Sequence, residues 1–305
     1  MKERPPGGLR ILVTGRDGQV GRELVRSLAG LGNVTATGRE DLDLSSDASI
    51  RRGVLDVRPA LIVNAAAYTA VDRAESEPDF ARRINAEAVV TLVAAAKAVG
   101  AAVIHYSTDY VFDGAKAMPY VEDDATHPLS VYGRTKLAGE QALAAAWIPH
   151  LVLRTSWVYG AEGKNFLLTI LRLAAEKPEL RIVDDQRGAP TWSRDIAVAT
   201  ASIVDRWQKD GFADAKSGVY HMTAAGRTSW YGFAAEAIRL RLQSAPEGKF
   251  ARLVPISSAE YPTPAERPKN SQLDCGKLEQ VFDCRLPDWK TSLATCVGTV
   301  GAVAS

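Results

Sequence analysis

Short apolar runs recur at intervals through the first half of this chain, and each is followed by a longer segment with apolar residues at helical spacing. The runs are Arg10–Thr14, Val34–Thr37, Leu61–Asn64, Val103–Ser107 and His150–Arg154. Strands that alternate with amphipathic helices point to a parallel sheet, because parallel neighbours need a crossover connection. The expectation is an α/β fold, a Rossmann-type doubly wound parallel sheet built from βα units. A helical stretch at Phe166–Ala175 and a short apolar run at Leu180–Val183 follow, and then the spacing loses its regularity. Prolines at 190, 255, 262, 264 and 268 punctuate short helices such as Ser229–Arg241. Residues 8–183 are therefore read as mainly the large domain and residues 184–305 as mainly a smaller C-terminal lobe, with room for the chain to cross between them. A cleft between two lobes is the natural ligand site.

Composition narrows the classes. The 305 residues are 46% hydrophobic, enough to bury a full core. The 37 basic and 36 acidic side chains leave a formal charge of +1, so no general field marks a nucleic-acid or membrane-surface binder. Cys275, Cys284 and Cys296 are odd in number and lack zinc-type spacing, which suits a reduced compartment. The opening MKERPPGGLRILVTG has too short an apolar run for a secretory signal, and no stretch approaches transmembrane length. A cytoplasmic protein is expected. His105, His127, His150 and His221 are scattered, and no metal site is read from them.

Directly after the first run stand Gly15, Gly18 and Gly21, with Gln19 and Val20 between the last two, opening a helical segment. Glycines here let the chain turn tightly and bring backbone N–H groups against a pyrophosphate at a helix N-terminus. An ordinary strand-to-helix turn is the alternative, and the place of the triplet after the first strand of a βα series favours the dinucleotide. The second run ends at Thr37-Gly38-Arg39, where an acidic side chain would be expected to hold a ribose 2′-hydroxyl. No acid is there, and the Arg39 guanidinium suits a 2′-phosphate, so NADPH is expected, with NADH left open. Asp43 and Leu44 either flank the adenine or form a helix-capping turn. Alanines after the third run, including Ala66 and Ala67, let a flat cofactor approach the backbone or simply pack helix on sheet.

Val131-Tyr132-Gly-Arg-Thr-Lys136 puts a tyrosine and a lysine on one helix face. An ammonium beside a phenol is expected to lower its pKa, so that the phenol donates a proton to a carbonyl as hydride arrives. Ser107 and Thr108 end the fourth run, at the strand edge where open α/β sheets bind ligands, and either hydroxyl could hold the substrate oxygen.

Taken together, GxxGQVG, NAAAYTAVDxAE, HYSTDYVFDG, VYGRTKLAGE, RTSWVYG, DDQRGAPT and YPTPAERPKNSQL resemble, in order and over nearly the whole chain, the dTDP-4-dehydrorhamnose reductase family of extended short-chain dehydrogenases/reductases. The resemblance implies NADPH-dependent reduction of the 4-keto group of dTDP-4-dehydro-β-L-rhamnose to dTDP-β-L-rhamnose. It implies Tyr132 as proton donor, Lys136 as its partner and a ribose ligand, and Thr108 as the hydroxyl of the triad. It places Gly18, Gln19 and Val20 at the pyrophosphate and Asp43 and Leu44 at the adenosine. Ala66, Ala67, Thr69 and Tyr106 fall toward the ribose and nicotinamide.

Val71, Asp109 and Trp157 are implied at the sugar, and Gln186, Arg267 and Asn270 of the smaller, substrate-binding lobe near the nucleotide. Family members often carry an acid where Gly38 stands, which leaves NADH use in question here. Some relatives form homodimers with Mg2+ at the interface, and nothing in this sequence marks a site for that ion. Two rival expectations are a 4-ketoreductase of another nucleotide-deoxysugar and a non-catalytic subunit of the kind that serves methionine adenosyltransferase.

Overall fold

The computed structural model describes residues 8–244 and 248–300. The first seven residues and the last five, which close the expected C-terminal lobe, lie outside the described residues. Six strands form one parallel sheet: β1 (Leu9–Thr14), β2 (Gly32–Thr37), β3 (Leu61–Asn64), β4 (Ala102–Thr108), β5 (His150–Thr155) and β6 (Gly218–His221). Their spatial order is 2-1-3-4-5-6. The register places Thr14 beside Thr37 and Asn64, Asn64 beside His105, and Thr108 beside Thr155. Consecutive carboxyl ends therefore fall along one edge.

The expected β3 and β5 begin where they are observed, whereas β1, β2 and β4 begin one or two residues before their apolar runs. β2 starts two residues early, on the exposed and half-buried Gly32 and Asn33.

Alternate side chains of each strand enter opposite cores, as pleating requires. Ile11, Val13 and Ile104 join one core with Leu24 and Leu28 of helix α1 (Gln19–Leu28). Leu12, Ile62 and Val103 join the other, with Ile50 and Val54 of α2 (Asp47–Val57) and Leu92 and Ala96 of α3 (Ala88–Val99). Helices thus cover both faces, and the strands show almost no polar alternation.

The sheet needs more than the first half of the chain. β6 pairs with β5, and the helix Ser193–Lys209 sends Ile196, Ile203, Val204 and Trp207 into the α1 side of the core. The chain has by then left the sheet and returned. The smaller lobe is assembled from the helices Phe166–Glu176, Trp230–Ser244 and Trp289–Val300. Parallel strands Glu179–Val183 and Arg252–Ile256 flank them. Tyr159, Phe233, Trp289 and Leu293 form one of its cores.

Candidate active site

A cleft of about 710 Å³ runs along the carboxyl edge of the sheet. Its centre lies where β1 and β3 meet, the point at which the chain reverses its direction of winding. The two loops that leave these strands touch: a Cβ placed on Gly15 would come within 2.8 Å of Ala66 N. Gly15 has φ +75°, open to glycine at little cost, and a side chain on Gly21 would strike Gly15 O at 2.0 Å. Gly21 shapes the turn from beneath and does not line the cleft.

Helix α1 starts with Gly18 as N-cap, has no side-chain cap and carries no acid in its first turn. Its free N–H groups and positive dipole end face the cleft, where Gly18, Gln19 and Val20 form the wall. Gln19 Oε1 is buried there without a partner. These features fit a dinucleotide diphosphate against the first turn of the helix.

At the end of β2, a side chain on Gly38 would meet Asp17 Oδ2 at 2.5 Å and Arg16 Nε at 3.3 Å, so an acid has no room unless Asp17 moves. Arg39 is 75% exposed and only loosely paired, 3.9 Å from Asp43. Arg16, overlooked in the sequence because it stands between glycines, lies beside Gly38 and pairs with Asp41 at 2.7 Å. Asp43 lines the cleft and also braces the turn. Hydrogen bonds from the Ser45 N–H and hydroxyl hold its carboxyl below the usual range, with smaller help from Arg39 and Arg83. Leu44 is buried and forms part of the same wall. The turn reading is thus realised, and the same segment lines the cleft.

The opposite wall carries Ala66, Ala67, Thr69 and Val71. Beyond them, helix α4 (Val131–Ala144) is capped by Ser130, whose side chain accepts from Gly133 N. The cap points the first turn of α4 at the end of β4. Tyr132 is 9% exposed and its ring meets Tyr110 edge-on at 5.5 Å. Burial pushes its pKa up to about 12, against a hydrogen bond with Thr108 that favours ionisation. The expected lowering by Lys136 is not what this structure shows. Lys136 Nζ is held instead by Tyr106 O at 2.6 Å, and burial brings its pKa down to about 8 while Glu140 opposes that shift. A proton donor has to be protonated, so the raised value suits Tyr132 for reduction.

Geometry separates the two hydroxyls that the sequence left open. Ser107 Oγ donates to Glu140, which is locked in a buried pair with Arg154 at 2.7 Å. Thr108 is the hydroxyl that reaches Tyr132, and it also donates to Asp109 Oδ1 at 3.1 Å. Asp109 lines the cleft with Oδ2 unpartnered, and burial raises its pKa to about 6.

Trp157 faces the cleft with its other side stacked on Trp230, ring centroids 3.7 Å apart. Tyr106 contributes to the wall too, but its hydroxyl is spent on Thr200 at 2.6 Å.

Gln186, Arg267 and Asn270 do not line the cleft, and their polar groups are already committed. Gln186 bridges Ser258 and Trp230. Arg267 grips both oxygens of Asp72, the shorter contact being 2.7 Å. Asn270 donates to the carbonyls of Lys116 and Met118. The pattern explains why they resist reading in isolation: each is a tie between segments far apart in the chain.

Two further residues escaped the sequence reading. Asn85, buried in a π-turn at Arg83–Glu87, accepts from Tyr68 N and donates to Tyr68 O and Thr135 Oγ1, tying the cleft wall to α4. A polar residue amid buried alanines was the available signal, and π-turns favour functional places. Thr155 Oγ1 is buried in the cleft wall beside Thr108 and has no partner. Among the described residues no group of three or more His, Cys, Asp or Glu side chains is placed to hold a metal ion, and no helix is long and apolar enough to cross a membrane.

A parallel sheet with a glycine-lined helix N-terminus at its switch point, and a Tyr-Lys helix face beside a strand-end threonine, defines a nicotinamide-dependent reductase of the extended short-chain class. Comparison with known proteins narrows this. The family model described as RmlD substrate binding domain matches residues 9–301. A dTDP-4-dehydrorhamnose reductase of Burkholderia thailandensis is 50% identical over 293 residues, covering 95% of this chain and 98% of its own. One from Escherichia coli K12 is 47% identical, covering 93% and 96%. Among solved structures, a dTDP-4-dehydrorhamnose reductase of Clostridium acetobutylicum superposes with TM-score 0.87 at 37% identity, covering 95% of this chain and 99% of that one. The Bacillus anthracis reductase in complex with NADP gives 0.85 at 32%, covering 96% and 99%. The chain belongs to the dTDP-4-dehydrorhamnose reductase family.

Proposed function

We propose that this protein reduces the 4-keto group of dTDP-4-dehydro-β-L-rhamnose to the alcohol of dTDP-β-L-rhamnose, with NADPH as the preferred reductant. The observation that carries the reading is Tyr132, buried beside Thr108 in the same cleft as an uncapped helix N-terminus. Bound NADPH supplies hydride to C4. Thr108 and Tyr132 hold the carbonyl oxygen, and Tyr132 passes its proton to that oxygen as the carbonyl becomes a secondary alcohol. Lys136 stands one turn along the same helix and lines the same cleft, placed to hold the nicotinamide ribose. Burial of Tyr132, Thr108, Asp109 and Lys136 excludes water and strengthens each of these interactions.

Asp109 Oδ2 and Thr155 Oγ1, both unpartnered, are suited to hydroxyl and amide donors and acceptors on the ligands. Trp157, backed by Trp230, offers a flat face to the sugar or base. Arg39, with Arg16 close by, supports the 2′-phosphate, and Gly38 adds no further acid to Asp17 and Asp41 beside it. Arg267 serves the site indirectly, by fixing Asp72 next to Val71. The chain first passes from the cofactor domain to the substrate lobe near residue 158, earlier than the expected boundary at 183, and residues 193–222 and 276–286 cross back.

The test is to follow NADPH absorbance with dTDP-4-keto-6-deoxyglucose, with and without a 3,5-epimerase, and to identify the product by NMR. Epimerase-dependent oxidation giving dTDP-L-rhamnose is expected. Oxidation without epimerase would assign a different deoxysugar, and no oxidation with either nicotinamide would refute the reductase reading.

A further inference from the structure

Behind Lys136 runs a line of buried side chains that the reaction above does not use. Lys136 Nζ lies 3.1 Å from His105 Nε2, in addition to its contact with Tyr106 O. His105 Nδ1 is 2.9 Å from Asn64 Nδ2, and Thr14 Oγ1 donates to Asn64 Oδ1 at 2.6 Å. Thr14, Asn64, His105 and Lys136 are each no more than 2% exposed. They come from β1, β3, β4 and α4, so three adjacent strands and the Tyr-Lys helix converge on one hydrogen-bonded line.

Hydrogen-bond chemistry gives that line two states. A neutral imidazole has one N–H and one lone pair, and an ammonium only donates. With Lys136 charged, Nε2 has to accept and the ring hydrogen sits on Nδ1. Asn64 then turns its oxygen to the ring and its nitrogen to Thr14. With Lys136 neutral, Nε2–H donates to Nζ, and Asn64 points its nitrogen at the ring, as placed here. Only such a network distinguishes the two ends of an amide. His105 itself stays uncharged, because burial and the neighbouring lysine charge hold its pKa well below the usual value.

We propose that His105 is a positioning residue that holds Lys136 from behind through Nε2, and that Asn64 turns over with the protonation of the lysine so that the His105 tautomer follows it. The proposal rests on the reductase reading of the cleft. The other groups that face Lys136 are consistent with it. Tyr106 supplies a carbonyl from β4, and Tyr132 and Glu140 lie one turn before and after on α4. Arg154 of β5 neutralises Glu140. His105 Nε2 is therefore the side-chain acceptor within hydrogen-bond distance of Nζ.

Two variants and one spectrum test this. In His105→Leu the acceptor is gone, and loss of a hydrogen bond to a buried charge predicts a fall in kcat of about ten- to a hundredfold, with the sugar KM within about threefold. The charged lysine is less favoured, so the basic limb of the kcat–pH profile moves about one unit toward lower pH. His105→Gln, which offers an amide oxygen near the Nε2 position, recovers most of the rate and returns the limb. A loss equal at all pH values and not recovered by glutamine would make His105 a packing residue and overturn the proposal.

The spectrum needs no turnover. In isotope-labelled wild type, the imidazole nitrogen shifts of His105 exchange between Nδ1–H and Nε2–H forms as pH rises through the lysine titration. In Lys136→Met they keep one form. A wild-type ring fixed in one tautomer would defeat the proposal even in an active reductase, whereas a switching ring in a protein that reduces no 4-keto sugar would defeat the functional reading alone.

Discussion

Replacing Asp109 by asparagine should stabilise the protein and weaken it as a catalyst. Asp109 is 2% exposed; Oδ1 accepts from Thr108 while Oδ2 has no protein partner. Burial raises its pKa from 3.8 to about 6, outweighing the hydrogen bonds of Ser271 and Thr108. Between these values the folded protein keeps a proton that the unfolded chain has released. Stability from this group is therefore complete below pH 3.8 and is lost as pH rises through 6. A shift of about two units, at about 1.36 kcal/mol each, makes the ionised carboxylate cost about 3 kcal/mol at pH 8. At pH 4.5, where most folded molecules hold the proton, the same relation leaves about 1 kcal/mol.

Asp109→Asn keeps the size and the acceptor toward Thr108, and removes the charge. For a protein of this size the gain corresponds to a rise in Tm of about 5 °C at pH 8, and about a third of that at pH 4.5. Turnover of the 4-keto sugar should fall about tenfold or more, because the cleft loses a charged acceptor. Differential scanning fluorimetry at the two pH values, beside NADPH oxidation assays, measures both. A Tm change equal at pH 4.5 and 8, or a fall at pH 8, would refute the argument that the carboxylate is buried at a cost for the sake of the ligand.

Tyr132→Phe keeps the ring packed against Tyr110 and removes only the acid, so kcat should fall by about two to four orders of magnitude while NADPH binding, read by fluorescence titration, is retained. Wild-type turnover in that variant would remove Tyr132 from its role. Arg39→Ala should raise the NADPH KM about three- to tenfold and the NADH KM by less than about twofold, the modest size reflecting an exposed guanidinium. Equal changes would leave Arg39 a surface residue. Trp230→Leu removes the backing of Trp157 and should raise the KM for the sugar nucleotide about fivefold with a smaller change in kcat. An unchanged KM would mean that Trp157 is held without its neighbour.

Much of the fold and the centre of the site could be read in the sequence because their signals are local. A strand buried on both faces shows as an apolar run, and β1, β3, β4 and β5 are found where the runs stand. The glycine turn and the Tyr132–Lys136 spacing depend on geometry within one loop or one helical turn, so residue type and distance along the chain suffice. From strand position alone Thr108 was one of two hydroxyls, and only the family resemblance singled it out. Which of them faced Tyr132 depended on Glu140, and on Arg154 beyond it.

The tertiary structure decided what depends on partners distant in the chain. β6 is a four-residue segment that becomes a strand because β5 offers an open edge. Arg267 was implied near the nucleotide, and Asp72, 195 residues away, claims it. Lys136 stood near Tyr132 in sequence as a source of positive charge, yet burial lowers its own pKa and raises that of the phenol. The unpartnered Oδ2 of Asp109, and the line from Thr14 through Asn64 and His105 to Lys136, follow the same rule. Composition and periodicity determine which residues leave water. Only the packed arrangement determines which polar groups then find partners, and of those left without one, Gln19, Asp109 and Thr155 line the cleft.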